Sequence, residues 1–258
     1  MTSAALVTGG GTGIGAAIAR RLAADGFGVT VCGRRSEPLE VVAAEIDGLA
    51  VVADCRRPDA AEAAVAAAVE RFGRLDALVI NAGISKSGTV TEQTVEGWQS
   101  VIDTNLTAAF LTARAALPHL LKQGGAVVAV SSLSALRAGP ASAAYCASKA
   151  GLNMLVQSIA VDYGPRGVRA NAVCPGWIRT DMADGAMDEL AAATAGDREG
   201  AYRRVTARMP TPRAGAADEV AGLVSWLLSP TAGYVNGTVI PVDGGAGLLD
   251  IGMMEFQR

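Results

Sequence analysis

The sequence predicts an α/β protein built on a doubly wound, parallel seven-stranded sheet in a single domain. Seven short, valine-rich runs recur along the 258 residues, and segments with helical periodicity separate them. Runs that are continuously apolar suit strands buried on both faces, and strand–helix alternation is typical of parallel sheets. The predicted strands are 4–8, 29–32, 49–53, 77–80, 126–130, 168–173 and 238–242.

The helical segments begin and end at recognisable residues. Ile14, Ile18 and Leu22 recur at the spacing of a helix face, and Gly26 follows them. A second helix is expected to start at Pro58 and to stop at Gly73. The longest helical segment runs over 143–163.

One long insertion and an apolar tail stand out from this alternation. Residues 181–209 are polar, alanine-rich and helical in pattern, with Gly185, Gly196 and Gly200 as possible hinges. An insertion of this length is typical of a lid or substrate loop, although a surface helical pair without a binding role fits the pattern too. The tail at 246–258 carries many apolar residues, which we expect to pack on a neighbouring subunit.

Composition excludes several classes of protein. Half of the residues are apolar, and the net charge of −3 gives no general basic surface for nucleic acid. Four scattered cysteines and a single histidine make a zinc site improbable and predict reduced thiols. The N-terminus lacks the basic start of a signal peptide, and no apolar run approaches the length of a membrane span. We therefore expect a cytoplasmic protein that does not bind membranes.

A glycine-rich segment, Thr8-Gly9-Gly10-Gly11-Thr12-Gly13-Ile14-Gly15, lies between the first strand and the first helix. Its glycines allow a sharp turn and a close approach to a pyrophosphate, whose charge the N–H groups at the helix start would meet. In this strand–loop–helix context the segment predicts a dinucleotide site and a Rossmann-type sheet.

The end of the second strand indicates which dinucleotide binds. Gly33, Arg34 and Arg35 stand where an acidic residue would favour NAD, and two guanidinium groups suit a 2′-phosphate. The sequence thus favours NADP(H), unless both arginines simply face solvent. Asp54 could accept a hydrogen bond from adenine, and the segment Asn81-Ala82-Gly83 could lie against the adenosine ribose, or each could be an ordinary turn.

Tyr145 and Lys149 are four residues apart and so lie on one face of a helix. A nearby ammonium is expected to stabilise the phenolate, so that tyrosine can act as an acid–base catalyst. Ser131 and Ser132 end the fifth predicted strand, where a hydroxyl could hold the substrate oxygen. Asn105 lies in a helical pattern, where a carbonyl or amide could hold a water beside Lys149.

These residues together resemble the short-chain dehydrogenase/reductase family over about residues 4–245. Thr8, Gly9, Gly13 and Gly15 match the family's TGxxxGxG pattern, and residues 81–83 match its NAG pattern. The resemblance implies a catalytic tetrad at Asn105, Ser132, Tyr145 and Lys149, and a nicotinamide contact at Pro175, Gly176, Ile178 and Thr180. Other implied contacts are Gly11, Thr12, Ile14 and Cys55 for the cofactor, and Ser132, Ser134, Tyr145, Trp177 and Met182 for the substrate.

The resemblance further implies metal-free hydride transfer in a homotetramer or homodimer. Among family members the chain is most similar to 3-oxoacyl-acyl-carrier-protein reductases, although Ala126 stands where those enzymes tend to have an arginine. NADP-preferring members often carry a basic residue where this chain has Thr12, so cofactor choice depends on Gly33, Arg34 and Arg35. Three functions stay open: a ketone reductase for thioester-linked or polyketide-like substrates, a dehydrogenase of sugars, polyols or other secondary alcohols, and a non-catalytic dinucleotide-binding regulator.

Overall fold

The structure, a computed structural model, describes residues 2–248. Its strands are β1 (Ala4–Thr8), β2 (Gly28–Gly33), β3 (Leu49–Val52), β4 (Ala77–Ile80), β5 (Ala126–Val130), β6 (Arg169–Pro175) and β7 (Val239–Val242). Its α-helices are α1 (Gly13–Ala24), α2 (Ser36–Glu45), α3 (Pro58–Phe72), α4 (Val95–Ile102), α5 (Ala108–Leu120), α6 (Ala143–Tyr163), α7 (Asp181–Ala193), α8 (Arg198–Thr206) and α9 (Ala217–Leu228).

The seven strands form one parallel sheet in the order β3-β2-β1-β4-β5-β6-β7. The chain moves outward in one direction from β1 and then resumes in the other direction at β4. This reversal opens a crevice beyond the carboxyl ends of the strands, where doubly wound sheets bind their ligands. One apolar core lies between the sheet and α1, α2 and α9, and a second lies between the sheet and α3, α5 and α6. The predicted fold is confirmed.

The predicted strands match best in the centre of the sheet. The bounds of β1, β4 and β5 agree with the sequence prediction, and their residues are buried throughout. The expectation of burial on both faces is wrong for β3 and β7, whose residues are mostly half-exposed. These two are the edge strands, which helices cover less completely.

Helix starts and stops also follow the sequence signals. Pro58 begins α3, and Gly73 ends it with a positive φ of 76°. The bounds of α6 agree with the predicted helix. In the insertion, α7 and α8 pack around a small core of their own that contains Met187 and Tyr202. The hinge prediction is wrong for Gly185 and Gly200, because both lie inside these helices, where hydrogen bonding fixes the backbone.

Within residues 2–248, no helix combines the length and hydropathy needed to cross a membrane. The apolar tail falls almost entirely outside the described residues, which end at Leu248.

Candidate active site

The glycine-rich loop turns sharply between β1 and α1. Gly9 has a φ of +65°, and its N–H donates to the Cys32 carbonyl at 2.7 Å. The Asn81 side chain holds the loop from the other side, donating to the carbonyls of Thr8 and Gly9 at 3.0 and 3.1 Å. The buried Thr8 hydroxyl accepts from the N–H groups of Asn81 and Ala82. Thr8 and Asn81 therefore shape the loop.

The loop leaves room only for glycine at its closest points. A Cβ at Gly15 would overlap the Gly9 carbonyl oxygen and the Asn81 side chain. At Gly13, where φ is +53°, a Cβ would lie 3.2 Å from Thr180 Cγ2 at the start of α7. The amino end of α1 thus opens into a narrow cradle, which suits the pyrophosphate of a dinucleotide.

The two arginines after β2, Arg34 and Arg35, are exposed. Arg35 donates to the Thr12 hydroxyl at 3.3 Å, which brings its guanidinium to the glycine-rich loop. There is open space beside Gly33, the residue before Arg34. A Cβ built at Gly33 would have its nearest described neighbours 3.8 Å away, on Leu39. The structure thus brings the predicted residues together around a site with room for an anionic group.

Asp54 lies next to the same region, but Arg56 already engages its carboxylate. Arg56 donates to both carboxylate oxygens, with Nε at 2.9 and 3.1 Å, and holds the pKa of Asp54 below its ordinary value. Arg34 adds a smaller effect in the same direction. Cys55, the next residue, directs its sulfur toward Cys32 at the end of β2, with 3.8 Å between the Sγ atoms.

Tyr145 and Lys149 project from one face of α6, as their spacing predicts. The Lys149 ammonium lies 5.8 Å from the centre of the Tyr145 ring. Lys149 is almost fully buried, and its Nζ donates to the Val130 carbonyl at 2.9 Å. Burial lowers the pKa of Lys149 to about 8, because the charged form loses its hydration.

The electrostatics of Tyr145 differ from the sequence prediction. Burial raises the pKa of Tyr145 above its ordinary value, and a hydrogen bond with Ser132 opposes this in part. In the protein alone the pKa of the phenol is therefore raised, and stabilisation of the phenolate by the ammonium and the bound cofactor stays a prediction. Desolvation is the largest influence on the pKa of Tyr145, and it also disfavours the charged form of Lys149.

The two serines after β5 make different contacts. Ser131 is buried, and its hydroxyl donates to the Lys149 carbonyl at 3.2 Å. Ser132 is partly exposed and accepts a hydrogen bond from the Ser134 N–H at 3.1 Å. The Ser132 side chain also hydrogen-bonds with Tyr145, so Ser132 is the serine beside the phenol.

Asn105 lies in a short π-helix, Asp103–Thr107, that joins α4 to α5. Its fully buried side chain accepts from the Ile84 N–H at 2.8 Å. It also donates to the Ile84 carbonyl and to the Ser148 hydroxyl, each at 2.9 Å. These contacts tie the chain after β4 to α6, so the Asn105 amide holds the protein backbone. Because π-helical turns are rare and cluster at functional sites, this turn singles out Asn105.

The chain after β6 forms the opposite wall of the crevice. Pro175 ends the strand, and Ile178 is buried. The Thr180 hydroxyl caps α7 by accepting from Ala183. Trp177 and Met182 are 37% and 52% exposed, so neither belongs to the core.

Sequence reasoning missed the turn after β7, which closes the same wall. Asp243 accepts from the N–H groups of Gly245 and Gly247. A Cβ at Gly247 would lie 3.1 Å from Leu133 and 3.7 Å from Arg137 Nε. The Asp-Gly-Gly sequence was a signal for the turn, but nothing in the sequence indicates its contact with the segment after β5.

Within residues 2–248, no three His, Cys, Asp or Glu side chains come together as a metal site. The arrangement therefore offers a phenol, a hydroxyl and a buried ammonium beside a dinucleotide cradle.

Comparison with known proteins gives a family match over nearly the whole chain. The family model described as enoyl-(acyl carrier protein) reductase matches residues 9–247. L-Rhamnose 1-dehydrogenase (NAD(P)(+)) of Azotobacter vinelandii is 40% identical over 251 residues, covering 93% of this chain and 94% of the relative. The 3-oxoacyl-[acyl-carrier-protein] reductase FabG of Staphylococcus aureus is 37% identical over 252 residues, covering 95% of this chain and 98% of the relative.

A solved structure gives the same result. A variant of actinorhodin polyketide ketoreductase with NADPH superposes with a TM-score of 0.91 at 36% identity. The match covers 96% of this chain and 98% of that one. Sequence and structure therefore point to one family.

Proposed function

Because this chain belongs to the short-chain dehydrogenase/reductase family, we propose that it uses NADP(H) to reduce a 3-oxoacyl thioester or polyketide-like ketone to a secondary alcohol. Family membership makes the protein an NAD(P)-dependent oxidoreductase of secondary alcohols and ketones. The juxtaposition of Tyr145, Lys149 and Ser132 at the carboxyl end of β5 carries the proposal.

Tyr145 acts as the acid–base group of this site. In reduction its hydroxyl donates a proton to the substrate oxygen, and in oxidation its phenolate removes that proton from the alcohol. Ser132 donates a hydrogen bond to the same oxygen and holds it beside the phenol. When bound, the nicotinamide supplies or accepts the hydride.

Lys149 and Asn105 support the acid–base role of the Tyr145 phenol. A pKa of about 8 lets Lys149 exchange a proton near neutral pH, and its ammonium favours the phenolate. Asn105 is a positioning residue, because its amide fixes Ile84 and also Ser148, the residue before Lys149.

Arg34 and Arg35 favour NADP(H) through the 2′-phosphate. Both guanidinium groups are exposed within residues 2–248, and Arg35 already reaches the glycine-rich loop through Thr12. The NADPH of the polyketide ketoreductase structure supports the same preference. Other contacts proposed for the dinucleotide are Gly9, Gly11, Gly13, Ile14, Gly15, Gly33, Asp54, Cys55, Ala82, Gly83, Pro175, Gly176, Ile178 and Thr180.

The substrate class follows from the wall of the crevice. We take Ser134, Trp177 and Met182 as substrate contacts, because the half-exposed indole and thioether suit an apolar acyl or polyketide chain. The similarity to the FabG reductase supports a thioester-linked ketone. The second candidate is a sugar dehydrogenase, which the 40% identity to L-rhamnose 1-dehydrogenase favours.

The first experiment follows NADPH oxidation with an acetoacetyl thioester, with NADH and L-rhamnose plus either oxidised cofactor as the comparison arms. We expect turnover with NADPH and the thioester. Tyr145→Phe should lower kcat by at least ~10²-fold and leave NADPH binding unchanged. The matched control is Tyr163→Phe at the other end of α6, which should keep full activity. If Tyr145→Phe stayed active, the proposed acid–base role would be wrong.

The cofactor preference has its own test. The double variant Arg34→Ala/Arg35→Ala should bind NADPH about 10- to 100-fold more weakly, because it loses charge-assisted hydrogen bonds to the 2′-phosphate. NADH binding should change little, and Arg71→Ala, which removes a guanidinium elsewhere, should change neither. Equal binding of NADH and NADPH by the unaltered protein would contradict the preference.

A further inference from the structure

Cys32 and Cys55 form a close pair of thiols outside the catalytic group. Their Sγ atoms are 3.8 Å apart, although 23 positions separate them in the sequence. Cys32 lies near the end of β2 and is fully buried, whereas Cys55 follows β3 and is half-buried. Cys55 is therefore the less buried member of the pair, and Cys32 is the fully buried one.

The pair lies beneath the part of the crevice assigned to adenosine. The Cys32 carbonyl accepts from Gly9 in the glycine-rich loop at 2.7 Å. Gly33, the residue after Cys32, bonds through its carbonyl to the Ala53 N–H at 2.8 Å. Asp54 lies between Ala53 and Cys55. A change at the two sulfurs is thus transmitted to the backbone that shapes the dinucleotide site.

The two sulfurs differ in acidity. The hydrogen bond between the Cys32 and Cys55 sulfurs lowers the pKa of Cys55 to about 7. A hydrogen bond with the Thr112 hydroxyl acts in the same direction. The same interaction and complete burial raise the pKa of Cys32 well above its ordinary value. Because the thiolate is the reactive form, Cys55 is suited to react first and Cys32 to follow.

We propose that Cys32 and Cys55 are an oxidisable dithiol, which a hydroperoxide converts to an intramolecular disulfide that weakens dinucleotide binding. The Cys55 thiolate attacks the peroxide O–O bond and becomes a sulfenic acid, and the alkoxide that leaves takes a proton and departs as an alcohol. The Cys32 sulfur then attacks the sulfenic sulfur. An S–S bond forms, and the hydroxyl leaves with the Cys32 proton as water. Overall, two thiols and one hydroperoxide give one disulfide, one alcohol and one water.

Formation of the bond requires movement. The sulfurs must approach each other by somewhat less than about 2 Å, which the close packing around Cys32 does not allow that residue alone to supply. The segment 53–57 carries the half-buried Cys55 and the exposed Arg56 and Arg57, and it is expected to move toward β2. Asp54 and Arg56 move with it, so the adenosine side of the crevice narrows. This coupling depends on the proposed dinucleotide site, whereas disulfide formation itself does not.

The experiment treats the full-length protein with hydrogen peroxide and then with dithiothreitol. Peptide mapping without reduction should show one cross-linked product containing Cys32 and Cys55. Thiol titration should fall by two and recover after dithiothreitol. Cys146→Ser is the matched control, because it removes a half-buried thiol outside the pair and should leave the cross-link intact. In Cys32→Ala, Cys55 should instead accumulate as a sulfenic acid that dimedone traps.

Two results would overturn the proposal that Cys32 and Cys55 form a disulfide. Either Cys32 and Cys55 stay reduced, whether or not Cys146 reacts, or Cys55 cross-links to another cysteine. Cys55→Ala guards against a folding defect of the Cys32 variant, because its site is partly exposed and its loss should also abolish the cross-link.

The effect of the disulfide on dinucleotide binding is measured separately, by NADPH titration before and after peroxide treatment. The oxidised protein should bind NADPH several-fold more weakly. Since linkage is reciprocal, saturating NADPH should lower the fraction of disulfide at equilibrium in a glutathione redox buffer. Unchanged affinity in the oxidised protein would overturn the coupling and leave the disulfide standing. A reduced protein that binds neither NADPH nor NADH would refute the proposed function, while the cross-link would still be measured.

Discussion

Lys149 illustrates how a single buried charge defines the site. Its ammonium is held by one backbone carbonyl among the described residues, and hydration no longer stabilises it. The protein therefore contains a lysine whose charged form is costly, which is typical of functional rather than structural positions. Asn105 contrasts with it, because every polar atom of that side chain has a protein partner.

Replacement of Lys149 should change how stability depends on pH. The folded protein releases the Lys149 proton at a pKa of about 8, whereas the unfolded chain holds it up to the ordinary value of 10.5. Between these values the unfolded state binds more protons, so the free energy of unfolding rises with pH. The two pKa values differ by about 2.5, and at about 1.4 kcal/mol per pKa unit this sets an upper bound of about 3–4 kcal/mol.

This prediction is measured by denaturant unfolding of Tyr145→Phe and Tyr145→Phe/Lys149→Met, without added dinucleotide. The shared Phe removes the titration of the neighbouring phenol. We expect the protein that keeps Lys149 to gain stability over the Met variant as the pH rises from about 8 toward 10.5. Parallel curves for the two proteins would show that burial does not depress the pKa of this lysine.

At the scale of elements, the glycine-rich loop is fixed by what surrounds it. The Asn81 side chain after β4 bonds to the loop after β1, so two strands adjacent in the sheet shape one turn. Gly15 lies where α1 passes over the Gly9 carbonyl, and the approach leaves no space for a methyl group. The dinucleotide cradle thus depends on a contact between helix and loop.

Two glycine substitutions separate this contact from ordinary helix propensity. Gly15→Ala should destabilise the protein by about 1–3 kcal/mol and weaken dinucleotide binding, because backbone atoms must shift. Gly185→Ala is the matched control within α7, where a Cβ would have no described neighbour within 4 Å. It should stabilise the protein by up to about 1 kcal/mol. The measurements are denaturant unfolding and NADPH titration, and an unchanged titration for Gly15→Ala would refute the proposed cradle.

At the scale of the whole molecule, one face of α6 presents apolar side chains to solvent. Met154 and Val161 are 62% and 74% exposed, and they line a groove with Gln157, Ser158 and Asn236. The same helix carries Tyr145 and Lys149 near its other end. Its outer face is therefore a candidate contact between copies of the chain, which the resemblance to the family leads us to expect as a homotetramer or homodimer.

Charge on this face should disrupt the assembly. We expect Met154→Lys/Val161→Lys to elute as a smaller species in size-exclusion chromatography with light scattering, because two ammonium groups would have to be buried. The control Val90→Lys alters an equally exposed valine away from the groove. An unchanged mass for the double variant would remove this face from the interface. The packing of the tail at 246–258 on a neighbouring subunit stays a separate prediction.

The elements show why sequence prediction succeeded where it did. The bounds of β1, β4, β5 and α6 could be predicted because their apolar periodicity is strong and their ends carry clear stop signals. The exposure of β3 and β7 could not, because a run of apolar residues does not show whether a strand lies at the edge of a sheet. The π-helix at Asn105 was missed for a similar reason, since residues there continue a helical pattern.

The sequence by itself determined the order of the elements, the glycine-rich loop and the pairing of Tyr145 with Lys149. All three depend on spacings of a few residues, which backbone geometry converts directly into local structure. The tertiary structure decided what lies across the crevice: Asn81 beneath the loop, Asp243 against the far wall and Cys55 against Cys32. It also decided the acidity of Tyr145 and Lys149, because desolvation depends on what the whole fold packs around a side chain.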